Sequence, residues 1–280
     1  PYCVRPAGML DPWSLEQKRL KKRLALLLAH HRMLSRAAFI QALNADERDL
    51  MAPLSLRAPL TVIPNGVFLD EVEGHAAHGR FRSAFPAIGD NPFVLFLARL
   101  HMKKGLDILA DAFARLSSAA PDVHLVVAGP EGGAGAAFRE RIAAAKLEDR
   151  VHVIGPIYGA RKYEAMADCA CFCLPSRQEG FSVAITEALA CGAPVVISEG
   201  CHFPEVATSQ SGRVLPLSAA AFAEAIGEIL GDPAAAVAMG ANGRRLVAER
   251  LTWPRIAQQT LKAYEDYASA ASRSAAKAVS

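Results

Sequence analysis

Two glutamates, Glu179 and Glu187, frame a loop and the start of a helix, while Arg99 and Lys104 stand together in an earlier loop. The apolar run Cys169 to Leu174 ends at Pro175-Ser176. Good helix formers then run from Val183 to Cys191, closed by Gly192 and Pro194 before the β-branched Val195 to Ile197. This order makes Ser182 a natural N-cap and puts residues 178–181 at the carboxyl end of a strand. In a parallel α/β sheet ligands bind at that edge, and a helix N-terminus there offers backbone N–H groups and partial positive charge to an anion such as a diphosphate. Carboxylates repel phosphate, so Glu179 and Glu187 suit hydrogen bonds from neutral hydroxyls on either side of it. Arg99 and Lys104 follow another strand and open into its helix. A guanidinium forks onto phosphate oxygens and an ammonium acts as a movable point charge, so the two suit a diphosphate; a pair of solvated loop cations is the plainer reading. A ligand with hydroxyls flanking a diphosphate is a nucleotide sugar.

The segment Glu179-Gly180-Phe181-Ser182 through Glu187 resembles the E-x7-E motif of retaining glycosyltransferases of the GT-B fold, in particular the large family numbered four (GT4). Thr61 to Val67 is similar to that family's interdomain IPNGV segment. Ala98 to Asp107 is similar to its phosphate-binding GRLxxxKGxD segment, with Ala98 in place of the first glycine. Val126 to Pro130, Val153-Ile154-Gly155 and Leu251-Thr252-Trp253 follow in family order. The resemblance runs from roughly Pro6 to Tyr267. It implies that Arg99 and Lys104 stabilise the charge building on the departing diphosphate and that Glu179 contacts hydroxyls of the transferred sugar. It also implies that Gly180, Phe181, Ser182 and Val183 approach sugar or phosphate, that Glu187 holds the ribose, and that the anomeric configuration is retained. Arg5 to Trp13 resembles the RGMLxPW loop of the first domain in polymer-building members, so only the last portion of that domain is expected here, and this chain alone is expected to bind donor with little or no turnover. A non-catalytic nucleotide-sugar-binding module, or an epimerase or phosphorylase on the same architecture, remain as alternatives.

About half the residues are apolar and a fifth charged, with no apolar run long enough to cross a bilayer and no signal-peptide pattern, so a cytoplasmic α/β protein is expected. Strands are expected at 60–63, 93–97, 123–128, 151–154, 169–174, 195–197 and 213–215, and helices at 106–116, 136–145, 162–167, 183–191, 219–230, 233–251 and 254–267. From 93 onward strand and helix alternate, which implies a doubly wound parallel sheet of about six strands, the GT-B C-terminal Rossmann-like domain. The expected domains are a partial N-terminal domain at 1–60, a linker at 61–91, the nucleotide-sugar domain at 92–250, and a C-terminal helix with a frayed Ala- and Ser-rich tail at 251–280.

The net charge of +3 is concentrated early, with nine Lys or Arg against five acids in residues 1–50. Over 14–36, Leu20, Leu24, Leu27, Leu28, His31 and Leu34 form an apolar face opposite Lys18, Arg19, Lys21, Lys22 and Arg23. Such a helix lies peripherally on an anionic membrane surface, suiting a lipid-linked saccharide acceptor, or packs on its own domain. No motif or interleaved aromatics accompany the charge, which speaks against nucleic acid.

Residues 129–135, Gly129-Pro130-Glu131-Gly132-Gly133-Ala134-Gly135, lack both the dinucleotide G-x-G-x-x-G and P-loop spacings, leaving a turn near the donor's base or sugar, or a plain loop. Ile157 belongs to a second candidate base loop. No Asp-x-Asp and no His/Asp cluster is present, so no metal cofactor is expected. His101 is either a phosphate contact or a surface histidine. Cys169, Cys171 and Cys173 are expected to share one face of a buried strand, as small apolar packing or a metal or redox site.

Overall fold

The computed structural model describes residues 2–17 and 19–277, and the chain divides into two compact units, residues 1–66 with 251–280 and residues 67–250.

In the first unit β1 (Cys3–Val4), β2 (Phe39–Ala42) and β3 (Leu60–Val62) form a parallel sheet with β2 central. All four residues of β2 are buried, as expected of a strand covered on both faces. Ile40 and Ala42 pack with Leu34 and Met51 on one side; Phe39 packs with Ile63, Ile256 and Ala263 on the other. The ring of Phe39 stacks on Tyr267 at 4.9 Å between centroids. The helix supplying Tyr267, Trp253–Lys277, continues past the position where a frayed tail is expected; residues 278–280 lie outside the described residues.

The apolar face expected over 14–36 is divided. Helix Pro12–Glu16 stands apart, and Arg19–Ala25 continues through a π-turn at Leu26–His30 into His31–Ser35. The extra residue of a π-turn rotates the next helical turn about the axis, so Leu34 is buried while Leu20, Leu24 and Leu28 remain exposed. Lys22 donates to the Ser14 carbonyl at 2.6 Å instead of standing in a solvated row. Lys18 and the side chains of Arg23 and Leu27 lie outside the described residues.

The second unit is built on six parallel strands in the order β6-β5-β4-β7-β8-β9. These are β4 (Phe93–Leu97), β5 (His124–Ala128), β6 (Val151–Gly155), β7 (Cys171–Leu174), β8 (Val195–Ser198) and β9 (Gly212–Leu215). The inner four are almost wholly buried, which is why their sequences read as continuous apolar runs. Helix Leu106–Ala119 buries Leu106, Leu109, Ala110, Phe113 and Leu116, one stripe at helical spacing. Cys169 caps the preceding helix and donates from Sγ to Met166 O, leaving only Cys171 and Cys173 on β7. Burial pushes the Cys171 thiol up to about 12 and that of Cys173 upward as well, the condition of packed, unreactive sulfur.

Residues 67–91, expected as linker, belong to this second unit and contain helices Leu69–His75 and Arg80–Ala84. Two forces hold them: Val72, Phe81 and Ile88 are buried, and the Asp168 carboxylate accepts the N–H groups of Gly79, Phe81 and Arg82. A helix start satisfied by a residue 89 positions away leaves no local signature.

Candidate functional site

The strand order dictates where a ligand fits. The chain runs β4, β5, β6 toward one edge and returns to place β7 against β4, so connections leave these two central strands in opposite directions and open a crevice at their carboxyl ends. A cavity of about 600 Å³ occupies that position, and Arg99, Lys104, Glu179 and Glu187 all line it. Of the other expected donor-binding residues, Gly129, Pro130, Ile157, Phe181, Ser182 and Val183 line it too; Gly180 lies in the same loop outside the lining.

The loop after β4 turns through a short 3₁₀ segment, Met102–Lys104, capped by the His101 ring, whose Nδ1 accepts the Lys103 N–H at 3.1 Å. His101 therefore shapes the cation loop and also lines the cavity. Two glycines admit the loop's close approaches. Gly105 has φ +70°, and a Cβ there would stand 1.8 Å from the Pro175 carbonyl oxygen; Gly129 has φ +149°, and a Cβ would stand 1.9 Å from that of Ala98.

Each carboxylate of the pair is held by a lysine. Lys104 Nζ donates to Glu179 Oε1 at 2.6 Å, and Ser176 Oγ donates to the same oxygen at 2.6 Å. The Glu179 N–H is fixed on the Gly200 carbonyl at 2.7 Å. Lys162 Nζ donates to Glu187 Oε1 at 2.6 Å and lies 4.5 Å from the centroid of the Tyr163 ring. Burial alone would depress the Lys162 ammonium, but the hydrogen bond and charge of Glu187 outweigh it, so Lys162 holds its proton more firmly than a free lysine. Lys162 escapes detection in the sequence because nothing local separates it from any helix cation. Its partner is 25 positions away. Arg99, Lys103, Lys104 and Lys162 against Glu179 and Glu187 leave the lining net positive, complementary to a diphosphate.

Ser182 sits at the N-cap of helix Val183–Cys191 with extended backbone and no side-chain cap hydrogen bond. The helix ends at Gly192 with φ +80°, as its sequence signals. In the glycine-rich loop Glu131 Oε1 accepts the N–H groups of Gly132, Gly133 and Gly135. The amides of Gly135, Gly133 and Gly132 hold that carboxyl below the usual range. The loop's amides thus serve its own side chain, while Gly129 and Pro130 face the cavity. Among the described residues no three His, Cys, Asp or Glu side chains are grouped as metal ligands.

An α/β unit with a mixed-charge cavity at the switch point of a parallel sheet has the doubly wound architecture in which ligands bind at the carboxyl ends of the strands. The chain belongs to the family of glycosyl transferases group 1, whose model matches residues 79–246. It is 33% identical over 210 residues, 70% of this chain and 53% of the relative, to the GDP-mannose-dependent alpha-(1-6)-phosphatidylinositol monomannoside mannosyltransferase of Mycolicibacterium smegmatis. It is 28% identical to the alpha-maltose-1-phosphate synthase of Mycobacterium tuberculosis, over 91% of this chain and 70% of that one. The fold is shared with sucrose-phosphate synthase from Thermosynechococcus elongatus, with TM-score 0.76, 27% identity, and 91% and 62% of the two chains covered. The Anabaena HepE structure in complex with UDP and glucose has TM-score 0.81 at 22% identity, covering 95% and 72%. The chain spans about half the length of the first of these relatives.

Proposed function

We propose that this chain is the donor-binding part of a retaining glycosyltransferase that moves a hexose from a nucleotide diphosphate sugar to a saccharide or lipid-linked saccharide acceptor, without a metal cofactor. The observation that carries this reading is the convergence of Arg99 and Lys104 with Glu179 and Glu187 around one cavity at the sheet's switch point. Arg99 and Lys104 take the diphosphate and stabilise the charge that builds on it as the glycosidic bond breaks, the role of preorganised cations in a leaving-group site. Glu179 accepts from hydroxyls of the transferred sugar and Glu187 from the ribose. Gly129, Pro130 and Ile157 flank the base, and the backbone from Gly180 through Val183 lies along sugar and phosphate. The acceptor hydroxyl attacks the anomeric carbon on the face the diphosphate leaves, and a leaving-group oxygen takes its proton. A GDP-mannose-dependent relative and a neighbour solved with UDP and glucose support the donor class without fixing base or sugar.

The reading is tested by equilibrium dialysis of labelled nucleotide sugars in the presence of EDTA, competed with free nucleotides. One donor is expected to bind and to be displaced by its nucleoside diphosphate far better than by its monophosphate. Where transfer occurs, NMR of the product is expected to show a retained anomeric configuration. Equal displacement by mono- and diphosphate, an inverted product, or binding abolished by EDTA contradicts the corresponding part.

A peripheral membrane contact, at the inner face of the membrane, is the second part of the proposal. Leu20, Leu24 and Leu28 repeat every four residues and are 84%, 57% and 75% exposed, with Arg19 and Lys21 exposed beside them. Exposed leucines flanked by cations favour an anionic lipid surface. Co-sedimentation with phosphatidylglycerol vesicles is expected for the wild type and not for Leu20→Glu/Leu24→Glu; equal sedimentation removes this contact.

A further inference from the structure

Lys104 and Glu179 lie on loops 75 positions apart, yet their side chains meet at 2.6 Å. Contacts behind the cavity fix that meeting. Gly105 lies flush against the Pro175 carbonyl, the Arg177 N–H donates to Lys103 O at 2.7 Å, and Ser176 Oγ stands 3.1 Å from the same oxygen. The Arg177 guanidinium completes the lacing. Its Nη1 donates to Asp107 Oδ1 at 2.9 Å and to Met102 O at 2.8 Å, and its Nη2 donates to Asp107 Oδ2 at 2.6 Å. Asp107 stands in the first turn of helix Leu106–Ala119, where the helix dipole also favours a carboxylate. The hydrogen bond from Arg177 holds its carboxyl below the usual range although partial burial works the other way.

Neither Arg177, Asp107 nor Met102 lines the cavity. Resting on the donor-site reading, we propose that Arg177 and Asp107 are positioning residues, a two-pronged clasp that locks the cation loop to the Glu179 loop and so sets where Lys104 meets the diphosphate. A plain structural ion pair would behave otherwise. With side chains 27% and 38% exposed, such a half-buried, bidentate pair contributes only modestly to stability, since it remains partly screened and costs side-chain entropy. Placement of a charged group is far more sensitive, because a shift of about 1 Å in a site can cost a large factor in function. The clasp therefore predicts a variant that folds normally and binds donor nucleotide poorly.

The experiment titrates the full chain with UDP, GDP and ADP and measures thermal midpoints in parallel, on the wild type, Arg177→Ala, Arg177→Lys, Asp107→Asn, Lys104→Met and Arg177→Ala/Lys104→Met. Arg177→Ala and Asp107→Asn are expected to weaken the preferred nucleotide about tenfold while the midpoint falls by no more than a few degrees. Arg177→Lys should recover part of the loss, because one ammonium cannot fork onto both Asp107 oxygens while also reaching Met102 O. In the Lys104→Met background the further effect of Arg177→Ala should largely vanish, since the clasp works through Lys104. Unchanged affinity in Arg177→Ala, or a loss that persists in full without Lys104, overturns the clasp while leaving the donor site intact. A midpoint falling in step with affinity makes the pair merely structural and also overturns it. A folded wild type that binds none of the three nucleotides overturns the donor-site reading and the clasp with it.

Discussion

At the scale of single residues, the ribose assignment rests on Glu187, whose Oε1 is already engaged by Lys162 and whose helix opens on the cavity. A carboxylate accepting from a ribose hydroxyl contributes about 1.5–3 kcal/mol, so a nucleoside diphosphate should bind roughly 10- to 150-fold more tightly than its 2′,3′-dideoxy analogue. In Glu187→Ala the preference should disappear, and paired titrations of both ligands read it directly. A variant that still discriminates would remove Glu187 from the ribose. The two glutamates and the Arg99 to Lys104 loop were legible in the sequence because their spacing is local: each cluster sits in one turn or the start of one helix. The lysine on Glu187 and the clasp on the cation loop were not, because pairs 25 and 70 positions apart exist only once the sheet brings their loops together.

At the scale of elements, the alternation of strand and helix from Phe93 onward was legible because the inner strands are continuous apolar runs, helix Leu106–Ala119 shows an apolar stripe and helix Val183–Cys191 a glycine stop. The short helices of residues 69–84 were not, since tertiary contacts supply what periodicity does not. Asp168 stands at the end of helix Ala160–Asp168 and takes three amides of a segment almost ninety positions earlier. Replacing it strands the buried Phe81 N–H, which costs about 1–3 kcal/mol, and leaves the part-buried amides of Gly79 and Arg82 to water. Asp168→Ala is thus expected to lower stability by about 1–3 kcal/mol and to raise amide exchange at Gly79, Phe81 and Arg82. Urea unfolding with hydrogen exchange checks both, and unchanged protection of those amides would show that Asp168 does not hold the segment.

At the scale of the whole chain, the second unit's sheet carries the cavity at one edge and a histidine pair at the other. The cavity lies at the carboxyl edge. At the other, His124 opens β5 with its ring Nδ1 2.8 Å from His152 Nε2, and Asn91 Nδ2 lies 3.1 Å from His124 Nε2. Burial, then the charges of His152, Arg150 and Arg82, press His124 below the ordinary histidine range, and burial does the same to His152. The unfolded chain then binds protons more readily than the folded one. Stability is full above the unfolded pKa of about 6.5 and declines as pH falls from there through the lower folded values. The thermal midpoint should therefore drop between pH 7.5 and 5.5, with a smaller drop in His152→Gln; an equal drop in both proteins would take the pair out of the pH response.

The central claim is that the cavity between β4 and β7 is a nucleotide diphosphate site built from two cations and two carboxylates. Calorimetric titration of the chain with UDP, GDP and ADP without added metal, repeated on Arg99→Ala and Glu187→Ala, tests it most directly. One nucleotide should bind at micromolar strength, and each substitution should weaken it about tenfold or more, the loss of one charge-assisted contact. A folded chain that binds none of the three, or binds one equally well after both substitutions, would contradict the account.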